Sequence, residues 1–203
     1  MREAITFKRL LDICFSITGL VFLSPILYVT ALRIWREDKG PVFYRGERIG
    51  RDGKPFRIYK FRTMVVDADK LGASSTPDDD SRLTKIGKKL RKYKLDELPQ
   101  LINVLRGEMS MVGPRPQVSW AVQLYSVEES RLLVIRPGIT DYASIKFRDE
   151  AAILRGSSNP DADYLEKIAP EKLRLALQYV DTMSFWTDLN IIFRTLAVLF
   201  KNQ

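Results

Sequence analysis

Between Ile13 and Leu32 the chain carries no charged residue, and most positions are apolar. Those 20 residues make about 30 Å of α-helix at ~1.5 Å per residue, the depth of a bilayer core. Two features argue against a simple span. Ser24-Pro25 sits near the middle, where a proline removes one helix hydrogen bond and crowds the preceding turn. Lys8 and Arg9 precede the run, and Arg33 and Arg36 follow it, so the preference of basic residues for the cytoplasmic side favours neither end crossing. The pattern predicts a helix that dips into one leaflet, breaks at Ser24-Pro25 and returns, each arm reaching roughly 16 Å, about the bilayer midplane. A kinked span and a buried core helix are the rival readings. A cleaved signal peptide would need a small-residue cleavage site, and Arg33-Ile34-Trp35-Arg36 follows instead.

The pattern then shortens. Residues 42–61 predict a β-hairpin: Val42-Phe43-Tyr44 and Phe56 to Phe61 are strand-prone, with the turn pair Asp52-Gly53 between them. Residues 67–82 are polar and predict a solvated loop, although Asp78-Asp79-Asp80 within it has the charge to bind a cation. From Arg82 to Lys94 there are seven basic residues and no acid, with Ile86, Leu90 and Tyr93 at near-helical spacing. This reads as a basic amphipathic helix. Leu98, Leu101, Ile102 and Leu105 give the i, i+3, i+4, i+7 pattern of a helix with one buried face. Asp96 reads as its N-cap, Glu97 follows, and Pro99 is tolerated only near a first turn. Both carboxylates are therefore expected where free N–H groups and the helix dipole favour negative charge. Gly113-Pro114-Arg115-Pro116 and Arg136-Pro137-Gly138-Ile139-Thr140 read as rigid turns, each presenting one arginine to an anion or simply to solvent. Lys172–Val180 and Phe185–Phe200 read as two further helices, the second apolar enough for a core or for a membrane interface.

Composition narrows the chemistry. The 203 residues carry 33 Lys+Arg against 25 Asp+Glu, a net charge of +8, and 45% are hydrophobic. That suits one domain with a real core. There is no histidine, and Cys14 is the only cysteine. This excludes Ser-His-Asp and Cys-His catalysis, histidine-ligated metal sites and a disulfide framework. Neither common glycine-rich phosphate loop is present. Any catalysis must rest on carboxylates, cations and a hard metal ion. A basic nucleic-acid-binding module is the alternative that the charge raises, but no such motif occurs and the long apolar run has no place in one.

Several segments, taken in order, resemble one family. They are Lys60-Phe61-Arg62-Thr63-Met64; Leu95-Asp96-Glu97-Leu98-Pro99-Gln100-Leu101 with Asn103-Val104-Leu105; Gly107-Glu108-Met109-Ser110; Val112 to Pro116; and Arg136 to Thr140. They are similar to the small monotopic phosphoglycosyl transferases, or bacterial sugar transferases, over nearly the whole chain. The resemblance implies an α+β, mostly helical fold: a re-entrant membrane helix over 1–36, then a catalytic body over 37–203 with a small hairpin and interfacial helices. It implies transfer of a sugar-1-phosphate from a UDP-sugar to undecaprenyl phosphate at the cytosolic face of the bacterial inner membrane, with UMP released. Asp96 and Glu97 fall on the family's catalytic pair and with it on Mg²⁺, the aspartate as a nucleophile that forms a covalent phosphosugar intermediate. Lys60, Arg62, Arg91, Arg115 and Arg136 are the cations available for phosphate, and the basic helix suits lipid headgroups at about 1 kcal/mol per charge. A non-catalytic scaffold and a homo-oligomer stay open. The chain departs from many members after Thr140, reading Asp141-Tyr142-Ala143-Ser144-Ile145-Lys146-Phe147-Arg148 where they have Gly-Leu-Ala-Gln-Val-Asn-Gly-Arg. Residues 149–163 are expected to form a loop over the donor.

Overall fold

The computed structural model describes residues 2–72 and 75–201; Ala73 and Ser74 of the expected polar loop lie outside it. Helix α1 runs from Arg2 to Asp38 without interruption, so the expected break at Ser24-Pro25 is not a break in helical winding. Pro25 cannot donate to the Val21 carbonyl, but the Ser24 hydroxyl donates to it at 2.8 Å. The side chain replaces the missing backbone donor, and the helix continues through the proline.

One stripe of α1 faces the rest of the molecule. Asp12, Ser16, Thr30 and Ile34 are buried, and Leu27 and Ala31 pack on the cluster of Ile34, Phe61 and Leu90. The opposite stripe presents Val21, Phe22 and Tyr28 at 64%, 78% and 70% exposure. The segment Phe7–Asp38 is long and apolar enough to cross a membrane. Both ends of α1 are tied to the body by charged groups. Lys8 Nζ donates to Asp188 Oδ2 at 2.5 Å and to the Val112 carbonyl at 3.0 Å. Arg9 donates to the Val104 and Leu105 carbonyls at 2.6 and 2.8 Å. At the other end Asp38 takes both terminal nitrogens of Arg62, at 2.5 and 2.6 Å.

The hairpin forms as expected, in two pieces. Strand β1 (Phe43–Tyr44) and β2 (Glu47–Ile49) return as β3 (Pro55–Arg57) and β4 (Lys60–Phe61). Phe43 faces Phe61 and Arg48 faces Phe56 in one antiparallel register. Asp52 and Gly53 turn with φ of 58° and 72°. Helix α2 (Lys85–Lys92) is capped by Thr84 Oγ1, which accepts from the Gly87 N–H at 3.0 Å. It buries Leu90 and leaves Lys85, Lys88, Lys89 and Lys92 exposed. Helix α3 (Gln100–Arg106) follows.

The two expected arginine turns are instead the ends of a parallel pair, β5 (Ser110–Val112) and β6 (Gly138–Thr140), with α4 (Ser119–Val122) between them in sequence. A Cβ on Gly138 would lie 2.1 Å from the Gly113 nitrogen, so glycine is what allows these backbones to meet. Helices α5 (Tyr142–Lys146), α6 (Glu150–Ile153), α7 (Pro160–Lys167), α8 (Ala169–Thr182) and α9 (Phe185–Lys201) complete the body. Residues 149–163 are thus not a plain loop. They hold α6 and the start of α7, capped by Asn159. The triple aspartate is not left to solvent either. Asp78 pairs with Arg155, Asp79 accepts from the Gly156 N–H, and Asp80 pairs with Arg82, which stitches the polar loop to the segment around α6.

Candidate active site

The site is built where α2 hands over to α3. Lys94 adopts a left-handed conformation, φ 55°, and Leu95–Glu97 wind as one 3₁₀ turn. Pro99 then stands at the N-cap of α3 and supplies no side-chain cap bond. Asp96 is therefore not the N-cap of this helix, contrary to the sequence pattern. The proline delays the α-helix, and Asp96 lies inside the tight turn before it. Its carboxylate is buried, 7% exposed, and Oδ1 has no hydrogen-bond partner.

Glu97 beside it is fully engaged. Oε1 accepts from Lys60 Nζ at 2.7 Å and from Arg115 at 2.6 Å, and Oε2 accepts from Arg115 at 3.3 Å. The two neighbours consequently titrate in opposite directions. Burial, then the Glu97 charge, raises the Asp96 carboxyl above its usual range, with Lys60, Arg91 and Lys94 opposing. Burial would raise Glu97 as well, but Arg115 and Lys60 outweigh it and hold Glu97 well below the usual range. Burial lowers Lys60, opposed by Glu97. The site thus holds one anion clamped by two cations, and beside it a carboxylate raised by burial with an unpartnered oxygen.

Not every expected phosphate ligand reaches this cluster. Lys60 and Arg115 do, and Arg91 lies close enough for the Asp96 charge to be its strongest electrostatic attraction while it donates to the Thr76 carbonyl at 3.0 Å. Arg62 is buried and occupied by Asp38 and by the Pro41 and Met64 carbonyls. Arg136 donates to the Gly107 carbonyl at 2.8 Å, and its strongest charged neighbours are Arg9 and Arg51. Both arginines serve in this structure to fasten α1 and the end of α3. Ser24 and Pro25 belong to α1 and not to the cluster.

Asn103 supplies support that charge and spacing did not single out. It is fully buried. Its Oδ1 accepts from the Tyr59 N–H at 2.8 Å, and its Nδ2 donates to the Arg57 carbonyl at 2.9 Å and to Glu108 at 2.7 Å. These bonds fix the strand that carries Lys60 against the helix that follows Asp96. Its position on the polar side of the α3 repeat, within a buried helix, was the available clue. Asn103→Ala strands the Tyr59 and Arg57 backbone groups, so a loss of about 2–3 kcal/mol is expected. A melting-temperature comparison checks it.

Among the described residues no three acidic or cysteine side chains form a metal cage. Mg²⁺ seldom uses one, taking one or two carboxylates with substrate phosphates. The unpartnered Asp96 Oδ1 is a hard oxygen donor of that kind. Glu97 offers less, because both of its oxygens already accept from cations.

A carboxylate pair held among lysine and arginine side chains, on a body fastened to one long apolar helix, has a charge pattern suited to phosphoryl groups. The chain belongs to the bacterial sugar transferase family, whose profile matches residues 3–202. It is 42% identical to the UDP-glucose:undecaprenyl-phosphate glucose-1-phosphate transferase of Klebsiella pneumoniae, over 97% of this chain and 41% of that protein. It is 34% identical to the UDP-N-acetylgalactosamine-undecaprenyl-phosphate N-acetylgalactosaminephosphotransferase of Aeromonas hydrophila, over 95% of this chain and 43% of that one. It is 39% identical to the uncharacterized sugar transferase EpsL of Bacillus subtilis, over 97% of this chain and 88% of that one. The chain thus spans about two fifths of the length of the first two relatives.

Proposed function

We propose that the protein transfers a sugar-1-phosphate from a UDP-sugar to undecaprenyl phosphate at the cytosolic face of the bacterial inner membrane, releasing UMP. The observation that carries this is Asp96: a buried, basic carboxylate with one free oxygen, beside an anion that holds two cations in place. An Asp96 oxygen attacks the sugar-bearing phosphorus. The bond from that phosphorus to the bridging oxygen breaks, and UMP departs with the electron pair. An oxygen of undecaprenyl phosphate then attacks the same phosphorus, the aspartyl bond breaks, and the carboxylate is restored. Burial makes Asp96 more basic, hence more nucleophilic once ionised. Lys60 and Arg115 spend only part of their N–H groups on Glu97, leaving donors for phosphate oxygens. Glu97 positions those two cations.

Asp96, with Glu97 beside it, would hold Mg²⁺, which when bound would supply charge neutralisation for the leaving UMP. Treatment with EDTA is expected to stop UMP release, and added Mg²⁺ to restore it; undiminished turnover rejects the metal. The central test incubates the purified protein with UDP-sugars without lipid. A hexose-phosphate mass on the peptide containing Asp96 supports the reading, and accumulation of lipid product with no such adduct at any time overturns it.

A one-sided membrane arrangement of the unbroken α1 is part of the proposal. Both ends of α1 are bound to one body through Lys8–Asp188 and Asp38–Arg62, while the apolar outer stripe is bare. One leaflet receives that stripe, and the four exposed lysines of α2 meet anionic headgroups. With Cys14→Ser as background, cysteines placed at Arg2 and Arg36 are expected to be labelled from the same side of the membrane. Labelling from opposite sides defeats the arrangement.

A further inference from the structure

Arg115 has a second environment besides Glu97. It lines a cavity of about 90 Å³ between the β5–α4 connection, α7 and α8. Roughly 10–15 Å³ accommodates one water-sized group, so the space holds about six to nine such groups, the six ring atoms of a pyranose with part of its substituents. Most of the wall is apolar, and the polar groups that face it are of two kinds. Some are spent: Asp141 accepts from the Ser144 N–H at 2.6 Å, and Lys172 pairs with Glu150. Others are available. Tyr164 and Gln117 both line the cavity, and each side chain can donate and accept. The Tyr125 hydroxyl has no hydrogen-bond partner among the described residues.

The wall also includes Asp141 and Ala143, from the stretch that follows β6. Burial pushes both tyrosines above their usual range, Tyr164 to about 12, so each keeps its hydroxyl proton at neutral pH. An apolar pocket with a few unspent donors and acceptors is the form that small-molecule sites take, and tyrosine rings suit the C–H faces of a sugar.

We infer that this cavity receives the pyranose ring of the nucleoside diphosphate sugar, with Gln117, Tyr125 and Tyr164 reading its hydroxyl or acylamino substituents. The inference rests on the transferase reading. Arg115 is the hinge of the geometry: a diphosphate held on its outer N–H groups sets the attached sugar at the cavity mouth. Tyr125 and Gln117 are then specificity residues, not members of the group that performs the transfer.

Tyr125→Phe removes one oxygen that bonds nothing among the described residues, so stability should not change. The test measures kcat/KM for UDP-glucose, UDP-galactose and their N-acetylamino counterparts in wild type, Tyr125→Phe and Gln117→Leu, together with inhibition by UDP, which has no sugar. The expected result is a change of about tenfold in the ratio between at least two donors, the scale of one hydrogen bond, with UDP inhibition unchanged within twofold. Ratios that stay constant in both variants, or donors and UDP that weaken together, overturn the pocket. A wild-type protein that releases no UMP from any donor, and binds UDP-sugars no more tightly than UDP, overturns the transferase reading and the pocket with it. Wild-type turnover with unchanged variant ratios overturns the pocket alone.

Discussion

Protein carrying Asp96→Asn is expected to release no UMP from any UDP-sugar, a loss of at least ~10³-fold, while keeping its fold. The amide has the shape of the carboxylate but lacks the negative oxygen that would attack phosphorus, and no other group nearby can take that part. Glu97 cannot substitute, because Lys60 and Arg115 hold both its oxygens. Stability should be preserved, since a buried charge close to Glu97 is removed and Oδ1 had no partner to lose. UMP release and a thermal melt, run on the same preparation, check both halves. Near-normal turnover in this variant would show that Asp96 is not the nucleophile.

Arg115→Ala is expected to damage both fold and activity. Arg115 makes two of the three bonds that neutralise Glu97. Without it a largely buried carboxylate faces Lys60 alone. Breaking a buried pair from one side costs about 3–5 kcal/mol, and the lower part of that range applies because the Arg115 side chain is 33% exposed. Turnover should fall by about 10²–10³-fold, the scale of losing one preorganised charge at the reacting phosphate. Arg115→Lys should recover part of the stability and less of the rate, since an ammonium cannot bridge both Glu97 oxygens. The double variant Arg115→Met with Glu97→Gln separates the two effects. It should melt above Arg115→Ala but below wild type, because Lys60 loses its counter-charge, and stay inactive; recovered activity would show that the guanidinium does not act on phosphate.

How much of this was readable in advance differs by element. The apolar run, the hairpin with its Asp52-Gly53 turn, and the helices after Lys172 follow from local patterns, so they appear where periodicity put them. The joint between α2 and α3 does not. Asp96, Glu97 and Pro99 carry the residue types of an ordinary helix start, and only the left-handed Lys94 and the position of Pro99 turn the first carboxylate inward. Lys60 and Arg115 were legible as cations but not as partners, because they meet Glu97 from 37 and 18 residues away. Arg62 and Arg136 looked the same in sequence. Their different fate depends on Asp38 and on the Gly107 carbonyl, contacts that no local pattern encodes. Proline alone predicts a break at Ser24-Pro25, and the hydroxyl beside it, bonded to the Val21 carbonyl, changes the outcome.

Arg62 fastens the far end of α1 to the strand on which Lys60 stands two residues earlier. At ~3.3 Å per strand residue, that lever is about 7 Å long, and Asn103 stiffens it from the other side. In the proposed membrane arrangement, pressure on the apolar helix would reach the strand that carries Lys60 through the Asp38–Arg62 pair, and lipid composition would join pH and ionic strength among the conditions that set the proposed transfer rate.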